Sequence, residues 1–206
     1  MNILYIVVGI LVLWSVWGYF SSRVEHADYS VLESKKGYEV RLYPEHIVAQ
    51  TVVTGPYNNA LNEGFRIVAG YIFGGNTKQQ RIAMTAPVLE KKSTAEPIAM
   101  TAPVTASVEG ESHTIAFGMP RSYTLETLPA PTDSRVSIAT IPERKVAAIR
   151  FSWFGTTARV EAKKKALQSA LARDGVTVTG EPQYAGYNAP WTPPWMMRNE
   201  VLIEVK

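Results

Sequence analysis

Apolar and polar residues alternate in short runs from Tyr29 onward, and glycines and prolines divide the runs into elements. Residues 29–33 lead to a turn at Lys35-Lys36-Gly37. Tyr38-Glu39-Val40-Arg41-Leu42-Tyr43 then repeats with a period of two, the mark of a half-buried strand. Pro44 ends it, and residues 47–53 predict another strand. After Gly55-Pro56 the period lengthens: Leu61, Phe65, Val68 and Ile72 form a stripe that predicts a helix over residues 57–73. Gly74-Gly75-Asn76 stops it, since a left-handed cap favours glycine or asparagine.

The stretch Ile-Ala-Met-Thr-Ala-Pro-Val at residues 82–88 returns unchanged at residues 98–104. As strands, the copies would place Ile82, Met84, Ala86 and Val88 on one face, and Ile98, Met100, Ala102 and Val104 on its counterpart. Residues 90–97 are polar and close on Pro97, which suits a hairpin connection. Pro87 and Pro103 cannot donate to a ladder, so both strands should break there. Two uses fit such a pair: a core hairpin, or one wall of an apolar groove lined by adaptable methionines.

Residues 113–119 predict a strand ended by Pro120. Beyond Leu128-Pro129-Ala130-Pro131 the plan restarts, with strands at residues 136–141 and 146–151 around Pro142, as an earlier pair flanks Pro44. A helix follows to about Arg173, with Val160, Ala166, Leu167, Ala170 and Leu171 apolar and Gly175 as its cap. Its Lys163-Lys164-Lys165 reads as a solvated face, with contact to anionic lipid the alternative. A Tyr-, Pro- and Trp-rich stretch leads to a last strand over residues 201–205. The pattern predicts an α+β domain with two pseudo-symmetric halves.

Ahead of this domain, residues 3–20 carry no charge. Eighteen helical residues span roughly 27 Å, close to the hydrocarbon thickness of a bilayer. No Lys or Arg precedes the run and no small-x-small cleavage pattern follows it, which favours a retained anchor over a signal peptide. The expected organisation is a membrane anchor helix at 1–22, a linker at 23–28 and a soluble domain at 29–206. That makes a single-pass protein of the inner (cell) membrane, touching lipid through residues 3–20. Sparse positive charge after the anchor favours the periplasmic side for the domain.

The chain has 206 residues, 46% of them apolar and 19% charged, which are globular values. A net charge of +3 without a basic stripe gives no reason to expect nucleic acid. The absence of cysteine excludes disulfides, thiolate ligation and thiol catalysis. There is no Gly-x-Ser-x-Gly elbow, His-Glu-x-x-His, P-loop or dinucleotide fingerprint, so no catalytic residue is assigned and the protein is read as a non-enzyme.

Tyr38-Glu39-Val40-Arg41-Leu42-Tyr43-Pro44, Gly64-Phe65, Tyr71-Ile72-Phe73-Gly74-Gly75-Asn76, the Met-Thr-Ala-Pro-Val repeats, Phe117-Gly118-Met119-Pro120, Tyr187-Asn188-Ala189-Pro190-Trp191 and Arg198-Asn199-Glu200-Val201 occur in one order. From about Tyr29 to Lys206 this set resembles the SOUL haem-binding family, and the doubled repeat looks like its bacterial branch. The resemblance implies a distorted antiparallel β-barrel flanked by two helices, as in gyrase-inhibitor-like small-molecule-binding domains. It also implies haem or another tetrapyrrole, held non-covalently in an apolar groove near the domain's first helix. In some animal members a histidine follows the arginine of the Tyr-Glu-x-Arg strand and has been proposed as an axial ligand; here that position is Leu42.

Haem iron accepts His, Met, Cys or Tyr. His46 lies near the displaced position and is the metal-ligand candidate; His26 reads as interfacial and His113 as a surface residue. Met84 and Met100 could touch a porphyrin plane, and Tyr57, Phe65, Tyr71 and Trp191 could stack on it, although core packing serves each equally well. Arg66, Lys78 and Arg81 could pair with carboxylates. Two alternatives remain open at this point: an interaction or sensing domain for a peptide or lipid, and a hydrolase using Glu63 or Glu200 as base.

Overall fold

The computed structural model describes residues 2–21, 25–92, 112–189 and 191–206. The chain runs α1 (Asn2–Ser21), β1 (Glu25–His26), β2 (Ser30–Lys35), β3 (Tyr38–Tyr43), β4 (His46–Thr54), α2 (Tyr57–Ile72), β5 (Thr85–Ala86) and β6 (Val88–Lys92). It continues through β7 (Ser112–Gly118), β8 (Ser137–Ile141), β9 (Arg144–Phe151), α3 (Thr157–Arg173), β10 (Gln183–Gly186), a 3-10 turn at Pro194–Met196 and β11 (Asn199–Glu204). The second copy of the repeat, with Met100, lies outside the described residues, and so does its expected pairing with the first.

Nine strands form one sheet in the order β2-β3-β9-β11-β10-β6-β7-β4-β8, with every neighbouring pair antiparallel. The expected barrel is therefore a curled half-barrel, because its end strands β2 and β8 do not pair with each other. Its centre is the seam between β6 and β10. On one side of the seam β4, α2, β6 and β7 form a unit, and on the other β9, α3, β10 and β11 repeat that plan. The strands flanking Pro44 and Pro142 are exchanged between these halves: β3 pairs with β9, and β8 with β4. Neither of these two strand pairs forms a hairpin with itself.

The helices cover one face of the sheet. α2 packs on β4 and β7 around Val68, Tyr71, Ile72, Ile115 and Phe117, while α3 packs on β3, β9 and β11 around Val160, Leu167, Leu171, Val201 and Ile203. The other face carries a smaller core of Tyr43, Val146, Ala148, Ala185, Tyr187 and Leu202, against which Ala27 and Tyr29 pack.

Two local expectations change. Ile82-Ala83-Met84 is not strand; β5 pairs in parallel with β1, the ladder breaks at Pro87, and β6 continues through Lys92 where a loop was expected. Pairing on both sides, to β7 and β10, holds these polar residues in the sheet. The stripe of α2 is also turned: Ala60, Gly64, Ile67, Val68, Tyr71 and Ile72 face the core, and Phe65 is 37% exposed. Small residues permit this approach, since a methyl group at Gly64 would lie 2.6 Å from Ile115 Cδ1.

The membrane assignment is corrected here. Among the described residues no helix is long and apolar enough to cross a membrane, so the single-pass inner-membrane placement is not supported. The aromatic end of α1 is instead engaged by the domain. Trp14 donates its indole N–H to the Trp191 carbonyl at 2.9 Å and meets Trp195 edge to face at 5.4 Å, while Trp17 lies 6.4 Å from Trp191. Gly18 abuts Pro193. Residues 3–13 are exposed, roughly 16 Å of helix at 1.5 Å per residue and about half a bilayer core.

Candidate functional site

Where α2 leaves the seam, an open groove of about 270 Å³ runs beside it. Leu61 and Phe65 of α2 form one wall, and Val88 on β6 with Tyr184 and Gly186 on β10 form the floor. Phe154, Met197 and Asn199 close the far side. The turned stripe of α2 explains the first wall: with Ala60 and Gly64 against the sheet, the larger Leu61 and Phe65 fall on the flank.

The far wall depends on a strained turn. Trp153 has φ of +72°, a left-handed backbone that bulky residues rarely adopt. Its N–H donates to the Pro194 carbonyl at 3.0 Å, and its carbonyl accepts from Asn199 Nδ2 at 2.6 Å. Asn199 Oδ1 in turn accepts from the Tyr184 hydroxyl at 2.6 Å. Gly155 makes room for that ring, because a side chain there would come within 2.7 Å of Tyr184 Cζ. The result holds Trp153 and Phe154 about half exposed, at 52% and 50%, on the groove's rim.

Of the sequence-derived candidates, the groove contains Phe65. Arg66 is exposed on α2, one turn after the lining residue Asn62. Tyr71 is buried in the core with its hydroxyl on the Pro129 carbonyl at 2.9 Å, and Met84 is half-buried against the α2 core. Arg81 is exposed away from the lining, and Lys78 reaches the Thr127 carbonyl at 3.4 Å. Trp191 packs on α1. His46 stands half-buried at the start of β4 with Nδ1 2.8 Å from the Pro44 carbonyl oxygen. Burial, together with the Arg144 charge, lowers its pKa although that carbonyl contact opposes the shift. It lines a separate recess of about 430 Å³ with Glu45, Arg121, Thr124 and Glu126, whose charged walls suit a flat apolar guest poorly. Phe154, Tyr184 and Met197 were not singled out beforehand, and Leu61 was read only as part of the apolar stripe of α2; the one available signal was the aromatic-glycine string Trp153-Phe154-Gly155.

Glu200 is removed from the field of general bases by its surroundings. It is fully buried on the sheet face away from the helices. Its Oε1 accepts from Arg41 Nη2 at 3.3 Å and from Arg198 Nε and Nη2 at 3.0 and 2.8 Å. Its Oε2 accepts from Arg41 Nη1 at 2.7 Å and the Tyr187 hydroxyl at 2.8 Å. Burial alone would raise its pKa, but the Arg41 hydrogen bonds and the two guanidinium charges outweigh it and hold the carboxyl below the usual range. A saturated, stabilised carboxylate is a poor proton acceptor. Glu63 is exposed, 3.9 Å from Arg135.

His113 corrects the expectation of a surface residue: it is 2% exposed, with Nδ1 2.9 Å from Oε1 of Glu90, itself 1% exposed. Because β6 runs on through Lys92, Glu90 sits mid-strand opposite Ile115 and meets His113 across the ladder. The side chain of His26 lies outside the described residues.

With this geometry in hand, residues 24–204 match the family described as SOUL heme-binding protein. The chain belongs to the SOUL family. Two relatives are heme-binding protein 2 of Homo sapiens, 32% identical over 155 residues that cover 74% of this chain and 71% of the relative, and its Mus musculus counterpart, 29% identical over 75% and 71%. Among solved structures, the EcmrR C-terminal domain superposes with a TM-score of 0.60 at 11% identity, covering 86% of this SOUL chain and 98% of its own. A hydrolase from Listeria innocua gives 0.53 at 14% identity, covering 85% and 94%. At such identities both likenesses show a shared fold alone.

Proposed function

We propose that the protein binds haem or another tetrapyrrole non-covalently in the groove beside α2, by packing and without catalysis. The observation that carries the reading is an open apolar trough, walled by Leu61, Phe65, Phe154 and Met197, in a chain of the SOUL family. Its volume of about 270 Å³ lies near the lower end of ligand sites, which start at ~300 Å³. A macrocycle would therefore rest one face in the trough and leave an edge in water. In this reading Asn62 and Arg66, four residues apart on α2, would serve the carboxylates at that edge. Bound haem would bring its own iron, but no described histidine lines the groove; Met197 offers the one soft donor, and it is needed for the wall. The ligand-binding unit in this reading is residues 29–206, preceded by the linker 23–28. A saturated Glu200 supports a binding role over a hydrolytic one.

Titration of the full chain with hemin, followed by the Soret band and tryptophan fluorescence, tests the reading. One saturable site is expected, weakened at least about tenfold by Phe65→Ala or Phe154→Ala, an amount that corresponds to ~1.4 kcal/mol. His46→Ala should leave the spectrum unchanged. Non-saturating adsorption, or saturable binding indifferent to both groove substitutions, would overturn it.

A further inference from the structure

At the other end of the seam, between the start of α2 and the outer flank of α3, lies a second cavity of about 450 Å³. It shares no lining residue with the apolar groove, and the Thr157 hydroxyl and Asn58 Oδ1, 3.5 Å apart, bridge the two helices between them. Tyr57 and Glu90 are among its lining residues. Glu90 commits Oε1 to His113, but among the described residues its buried Oε2 has no hydrogen-bond partner, and neither has the buried Tyr57 hydroxyl. Burial and the Glu90 charge push the Tyr57 pKa up, so the hydroxyl keeps its proton and both its donor and acceptor capacity.

We propose that this polar cavity is a binding site for a small zwitterion, with a primary ammonium on Glu90 Oε2 and the Tyr57 hydroxyl, and an anionic end on the α3 lysines. An ammonium supplies three donors, enough for both oxygens that lack a partner. A bare cation fits less well, because Lys164 and Lys165 line the same space. Lys164 is already engaged by Glu161 at 3.0 Å, which leaves exposed Lys165 as the main partner for an acid group. A single water is too small an occupant, since it takes ~30 Å³. Both orphan oxygens are shielded from bulk water, so the ligand enters by displacing the long, flexible side chains of α3 above them.

Calorimetric titration of the full chain with glycine, 4-aminobutyrate and 6-aminohexanoate tests the site, with butylamine and butyrate as single-ended controls. At least one of the amino acids should bind saturably with Kd near ~1 mM or tighter, butylamine about tenfold more weakly, and butyrate not at all. Glu90→Gln and Tyr57→Phe should each weaken the amino acid about tenfold or more while leaving the hemin titration intact. Lys165→Ala should weaken the amino acid but not butylamine. Tyr57→Phe removes only an oxygen that lacks a partner, so a folded variant is expected and a melting curve verifies it. Absence of saturable binding by every amino acid up to about 50 mM, or binding unchanged by both Glu90→Gln and Tyr57→Phe, would overturn the proposal whatever hemin does.

Discussion

Helices α2 and α3 hold equivalent places in the two halves, yet they meet the sheet in different ways. α2 turns Ala60 and Gly64 inward and lies close enough for Gly64 to touch Ile115, which pushes Leu61 and Phe65 to its flank. α3 buries its large residues, Val160, Leu167 and Leu171, each at 1% exposure or less, and its flank carries lysines. The seam consequently has an apolar end beside α2 and a polar end beside α3. A repeated strand-helix-strand-strand plan thus yields two unlike recesses because the residues chosen for helix contact differ in size.

The severest break in this comparison is at Glu200, a charge that only the second half buries on the face away from the helices. Glu200→Ala would leave Arg41 and Arg198 facing each other without their shared acceptor, and removal of one partner from a buried ion pair costs about 3–5 kcal/mol. Urea or thermal denaturation of the full chain should show that loss. The same carboxyl sets a pH dependence. Its pKa is depressed in the folded state below the ~4.3 of an unfolded glutamate. Its contribution is therefore complete above that value and is lost as pH falls through the folded pKa. The wild-type protein should lose stability below about pH 4, and Glu200→Gln should flatten that part of the curve.

Leu167→Ala and Leu61→Ala set the two helices side by side. Leu167 is fully buried under α3, so its truncation should cost about 2–5 kcal/mol. Leu61 is half-buried on the groove wall and should cost well under half as much, about 1 kcal/mol. Similar losses at the two sites would mean that α2 does rest on its larger residues. Gly64→Ala probes the same point from the opposite direction. Alanine gains about 1 kcal/mol of helix propensity, but a methyl 2.6 Å from Ile115 Cδ1 and 2.9 Å from its Cβ overpacks the contact by about 1–3 kcal/mol. The net expectation is a loss of about 1 kcal/mol and a shift of Leu61 and Phe65 that also weakens hemin binding.

Much of this architecture could be read from periodicity. The alternation of Tyr38-Glu39-Val40-Arg41-Leu42-Tyr43 marks β3, and the spacing of Val160, Leu167 and Leu171 marks α3, because large apolar residues report burial directly. The inner face of α2 was hidden because Ala60 and Gly64 carry little hydrophobic signal, while Leu61 and Phe65 imitate a core stripe. β6 was hidden because Glu90-Lys91-Lys92 resembles a turn, although Glu90 is held inside through the contact of its Oε1 with His113. Strand exchange at Pro44 and Pro142 leaves no local trace, since it concerns partners far apart in the chain, such as Val40 and Ala147. The groove suffers from the same distance: Phe65, Phe154, Tyr184 and Met197 meet only through the seam, whereas Tyr71 and Met84 carry equally suitable chemistry into the core.

The smallest expected effect on stability is the most informative about use. Phe65 is 37% exposed and its ring centroid lies 5.2 Å from that of Phe117, so Phe65→Ala forfeits one aromatic contact of about 0.5–1.5 kcal/mol and little buried area. Stability should fall by no more than about 1.5 kcal/mol, whereas hemin affinity should fall at least tenfold. Leu171→Ala gives the opposite pattern, a large loss of stability with hemin affinity unchanged in the folded protein. If Phe65→Ala were to destabilise the fold as much as Leu171→Ala does, the flank of α2 would be core after all, and the apolar end of the seam would owe its composition to packing alone.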